Sequence, residues 1–109
     1  MSIKLETLNA TDSLQNIQTA IQQTEAIGYE LITMVKGIVG GQNANMLTLH
    51  RRTPGESPGQ LTLVEVDSQL SLQEQENKVN SEENGGKVLI SYGTGFVQGR
   101  ETMVAAYRG

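Results

Sequence analysis

The chain has 109 residues, no cysteine, a single histidine and a formal net charge of -4. This length suits one domain with a modest core, and the composition excludes disulfide frameworks, thiolate chemistry and multi-histidine zinc sites. The acidic balance opposes sequence-independent attraction to nucleic acid, and no apolar run approaches the roughly 18 to 20 residues that span a bilayer; the expectation is a soluble, cytoplasmic protein without a metal or cofactor.

Ile3-Lys4-Leu5-Glu6-Thr7 alternates apolar and polar residues, as in a strand with one dry face. Asp12 stands three residues before Gln15, the spacing of a capping box, and predicts a helix start there. Leu14, Ile17, Ile21 and Thr24 then form a narrow core stripe, with Gln15, Gln18, Gln22 and Gln23 facing water. Gly28 suits the left-handed residue that closes a helix. Tyr29 to Val35 predicts a strand that is apolar on both sides, Leu31 and Val35 projecting one way and Ile32, Met34 and Ile38 the other. A glycine-containing stretch from Gly37 leads to the returning strand, Met46 to His50.

Both prolines, Pro54 and Pro58, fall in a linker over residues 53–58, where regular structure is interrupted. Beyond it Gln60 to Val66 reads as a strand. Ser71 and Glu74 make a capping box, and Glu74 with Lys78 an i,i+4 pair, for a helix over Ser71 to Asn84. Only Leu72 and Val79 are strong core residues in it, so a loosely docked, mostly solvated helix is expected, stopped by Gly85-Gly86. Lys87 to Tyr92 and Thr102 to Arg108 are the last strands.

The two halves are copies of one unit. Displaced by 58 positions without a gap, residues 1–51 match 59–109 at 11 positions, among them Ser13-Leu14-Gln15, Glu25, Gly28, Leu31-Ile32, Gly37, Val39 and Gly41. Random pairing would give about three. The predicted fold is therefore α+β, a tandem duplication of a β-α-β-β unit over residues 1–52 and 59–109, forming one domain with an antiparallel-rich sheet of about six strands and two helices on one face. Two short helices cannot cover both faces of such a sheet. Either it curls over its own side chains, or a second subunit covers it, which predicts a homo-oligomer with a dimer as the first expectation.

Candidate chemistry is sparse. Gly93-Thr94-Gly95-Phe96-Val97-Gln98-Gly99-Arg100 could bring backbone amides and a guanidinium to a phosphate, but it lies between two strands and lacks the strand-to-helix context of a dinucleotide fingerprint. Its counterpart, Gly37 to Gly41, assigns the glycines to the repeat. His50-Arg51-Arg52 sets three potential cations at a strand end, and Arg108 matches His50 in the other copy. His50, Arg51, Arg52, Gly95, Gly99, Arg100 and Arg108 are thus the candidates for a small anionic ligand. Glu74, Glu76, Glu82 and Glu83 read as a solvated face, and Glu30 as a wet carboxylate at a strand rim. With one imidazole and no G-x-S-x-G elbow, no catalytic residue is assigned.

Gly28-Tyr29-Glu30-Leu31 after a helix, with a hairpin return ending in Leu49-His50-Arg51, resembles short strand-helix-strand-strand families of unknown function that carry a Gly-Trp/Tyr-Glu-Leu motif. The resemblance covers residues 14–52. The second copy departs from it with Gly86-Lys87-Val88-Leu89. The order of elements is also similar to that of the dodecins, flavin-binding oligomers, but the tryptophan on which their flavin stacking depends has no counterpart here. Neither resemblance carries over a catalytic residue. The functional expectation is a small non-catalytic oligomeric binding or interaction module, with a small-molecule regulator or enzyme using His50, Arg52 and Arg100 as the alternative.

Overall fold

A computed structural model describes residues 2–53, 55 and 58–109, without the side chains of residues 43–45; half of the predicted linker, residues 54, 56 and 57, lies outside the described residues. The elements run β1 (Ile3–Leu8), α1 (Leu14–Ala26), β2 (Tyr29–Val39), β3 (Gln42–Arg52), β4 (Leu61–Val66), α2 (Leu72–Asn84), β5 (Val88–Val97) and β6 (Arg100–Arg108). The fold is α+β, with the β-α-β-β order repeated. The six strands divide into two antiparallel three-stranded sheets, β1-β3-β2 and β4-β6-β5.

Each β-hairpin closes through two residues at positive φ, Gly40-Gly41 in the first copy and Gln98-Gly99 in the second. That backbone follows the right-handed twist of the flanking strands, and glycine adopts it without a Cβ penalty. The turns are shorter than the sequence pattern suggests, because Gly37, Gly93 and Gly95 belong to strands.

Both copies carry a bulge at the same place. Register shifts between Leu31 and Thr33 in β2 and between Leu89 and Ser91 in β5. The extra residue, Ile32 or Ile90, reverses the alternation beyond it. Leu31 and Met34 therefore share the buried face opposite His50 and Thr48, while Thr33 and Val35 lie on the other. This corrects the strict alternation that had grouped Leu31 with Val35.

A second irregularity belongs to the first copy alone. Gly37 pairs with Asn45 and Val39 with Gln42, so two residues of β3 oppose one of β2. Beyond it, β3 and β6 correspond at one residue less than the 58-residue step. His50 then corresponds to Tyr107, not Arg108: Leu31 pairs with His50 and Leu89 with Tyr107. Met46 corresponds to Met103, and Arg51 to Arg108, identities that an ungapped comparison hides.

Helix α1 begins at Ser13, whose hydroxyl accepts from the Asn16 amide at 3.2 Å, rather than at Asp12. The Asp12 carbonyl is instead taken by the Gln98 amide of the second hairpin at 2.8 Å. Gly28 and Gly86 follow the two helices with φ of +99° and +96°, as helix-closing residues require. Helix α2 has the predicted capping box and no buried residue.

The core lies between the sheets. Ile17 and Ile21 of α1 pack among Leu31, Met34 and Met46 on one side and Leu61, Leu63, Val104 and Ala106 on the other. Gln18, read from the sequence as facing water, accepts from the Leu63 amide at 2.9 Å, so α1 covers the open edge of β4. Each helix lies over its own sheet, and α1 is also covered by the second sheet; nothing within the described residues does the same for α2.

Candidate functional site

His50 is 1% exposed beneath α1, and its Nε2 lies 2.9 Å from Thr48 Oγ1. The Thr48 hydroxyl donates to the Glu6 carbonyl at 3.4 Å, so its oxygen is free to accept from His50 Nε2–H. Nδ1 is then a lone pair without a partner. Burial lowers the His50 pKa against the pull of Glu6 and Glu25, with Lys4 adding to the lowering. A neutral, enclosed imidazole of this kind fills space in the sheet and offers nothing to a ligand.

Arg108 is the most constrained cation. It donates through Nη2 and Nη1 to the two carboxylate oxygens of Glu25 at 2.6 and 2.8 Å, and Nη1 also reaches the Gly59 carbonyl at 2.8 Å. Glu25 is itself 8% exposed and accepts from the Leu31 amide at 3.0 Å. The pair joins the helix of the first copy to the last strand of the second. Glu25 was not singled out from the sequence, although its identity in both copies was a signal.

Arg100 sits at the opposite end of the nine-residue β6, about 27 Å from Arg108 at strand rise. It holds Glu65 with two hydrogen bonds of 2.8 and 3.3 Å on the surface. Gly99 donates its amide to the Ala10 carbonyl at 2.8 Å, beside the Gln98 bond to Asp12. Gly95 is buried against Met46, whose sulfur accepts from the Phe96 amide at 2.8 Å. The glycine hairpin is thus engaged in joining the two copies. Arg51 and Arg52 are exposed at the end of β3. The seven candidate residues are not brought together: they are spread over both sheets, and the amide of Gly99 and the guanidinium groups of Arg100 and Arg108 already have partners. Among the described residues no cluster of three His, Cys, Asp or Glu could hold a metal, and no helix is long and apolar enough to cross a membrane.

What is gathered instead is apolar surface. On the outer face of the first sheet, Ile3 and Leu5 are 60% and 63% exposed. They lie across from Arg51 and Leu49 of β3, and Val35 lies across from Leu47. The same face of the second sheet, Leu61, Leu63, Val104 and Ala106, is the buried core. A second open feature flanks α2: a cleft of about 290 Å³ lined by Leu72, Gln75, Glu76, Val79 and Tyr92. Tyr92 donates to Gln75 Oε1 at its wall, and the Tyr107 hydroxyl donates to the Val79 carbonyl at 3.1 Å beneath the helix. A cleft of about 240 Å³ lies beside Glu25 between α1 and residues 58–61. Both are small for a ligand pocket, which is usually about 300 to 1,000 Å³.

Comparison of the chain with protein-family models, with curated proteins and with solved structures gives no match.

Proposed function

We propose that this protein is a non-catalytic interaction module that self-associates through the outer face of its first sheet. The observation that carries the reading is the exposure of Ile3 and Leu5, with Val35, Leu47 and Leu49 beside them. Contiguous apolar surface on a small domain marks an interaction site, and β1 also presents an edge with no neighbour in its sheet. The cationic candidates favour no enzyme or anion-binding reading, since His50 is enclosed and Arg52 and Arg100 stand on different sheets.

Light scattering coupled to size-exclusion chromatography tests the proposal. The chain should run as an oligomer whose mass falls on dilution, and Leu5→Lys should shift it to the monomer while circular dichroism stays unchanged. A wild-type monomer at every concentration removes the reading.

A further inference from the structure

We infer that a second copy of this chain docks head to tail, its first-sheet face entering the α2 cleft as the second-sheet face enters over α1 within one chain. This deepens the self-association reading and rests on it.

The internal junction supplies the template. Thr33 and Ser91, one 58-residue step apart, meet at 3.5 Å, so the axis relating the copies passes close to them. A rotation of half a turn would make the two copies bury the same faces. They do not: Leu61 and Leu63 are buried, while Ile3 and Leu5 are exposed. The junction is therefore heterologous, and one inserting surface and one receiving surface are left over.

The receiving surface left over matches the one in use. In the first copy Ile17, Gln18, Ile21 and Met34 receive the second sheet; their counterparts Gln75, Glu76, Val79 and Tyr92 line the 290 Å³ cleft. The loop that accepts the hairpin is also repeated. Asp12 N bonds Asn9 O at 3.1 Å, and Leu70 N bonds Asp67 O at 3.2 Å. Asn9 and Asp67 each accept a second amide with their side chains, both at 2.9 Å. The Gly40-Gly41 turn is the counterpart of the docked Gln98-Gly99 turn.

Charge gives the register. The junction in use is locked by Glu25 and Arg108. Their counterparts are Glu83 and Arg51, both exposed and without an ion pair among the described residues. Glu83 stands next to last in α2, as Glu25 does in α1. In the assembly, Arg51 of one copy pairs with Glu83 of the next. Two chains closing on each other form two such junctions, and more chains form a larger ring.

The absence of cysteine permits a direct test. Single-cysteine variants Leu5→Cys and Glu76→Cys are mixed and oxidised, and Arg51→Glu and Glu83→Arg are examined singly and together by light scattering. Expected are a covalent 5-to-76 heterodimer, a loss of association of roughly tenfold or more in each charge variant, and recovery in the double variant. Cross-links of 5 to 5, or an oligomer indifferent to both charge changes, would overturn the head-to-tail junction and leave self-association standing. A wild-type monomer throughout would remove both.

Discussion

Glu25 on α1 and Arg108 on β6 face each other through two hydrogen bonds of 2.6 and 2.8 Å, holding together two copies of a unit that are 83 residues apart at this contact. Both side chains are largely buried, so the pair's removal is felt mainly through the charge left behind. Glu25→Gln should lower stability by about 3 to 5 kcal/mol. The double variant Glu25→Leu with Arg108→Met should recover a large part of that loss. Urea unfolding midpoints for the three chains check this; equal midpoints for the wild type and Glu25→Gln would contradict it.

His50 links stability to acidity with a definite sign. Its folded pKa lies below 6.5, because burial disfavours the cation. Below pH 6.5 the unfolded chain therefore binds a proton that the folded chain refuses, and stability falls with pH until the folded pKa is passed. His50→Gln should flatten that part of the profile relative to the wild type. Thermal unfolding across this range measures it, and parallel profiles would show that His50 does not titrate in the transition.

The strand glycines are predicted to differ. A Cβ at Gly37 would stand 2.6 Å from Leu47 Cβ, an atom fixed to the backbone of β3. A Cβ at Gly95 would stand 2.6 Å from the tip of Met46, which can swing. Gly37→Ala should cost about 1 to 3 kcal/mol, and Gly95→Ala less. Chemical denaturation decides the order.

How far the fold was legible depends on the reach of each signal. The repeat follows from comparing the chain with itself, and the order of the elements, the left-handed stop at Gly28, the stop at Gly85-Gly86 and the Ser71 capping box rest on neighbouring residues; all were readable. The bulge at Ile32 was not, because a bulge is defined against a partner strand, and it inverted the assignment of faces along β2. One extra residue in β3 hid the correspondence of Arg51 with Arg108 and of Met46 with Met103. Ser13, the counterpart of the Ser71 cap of α2, caps α1 in place of Asp12. The candidate site was least legible for a related reason: arginines and glycines that suggest anion binding in isolation are engaged by distant residues such as Glu25, Glu65 and Ala10.

Tyr107→Phe should remove the hydroxyl that reaches the Val79 carbonyl, at about 0.5 to 1.5 kcal/mol. The effect should concentrate in α2. Amide hydrogen exchange would show faster exchange over residues 72–84 with the α1 amides unchanged; a uniform change would instead indicate a global role for Tyr107.

No residue of α2 is buried, so little holds this helix in place when the temperature rises. Two of the three tyrosines, Tyr92 and Tyr107, bond to it, and there is no tryptophan to mask their emission. Intrinsic ultraviolet fluorescence is thus a built-in gauge of the detachment of α2, changing on gentle warming before the sheets themselves melt.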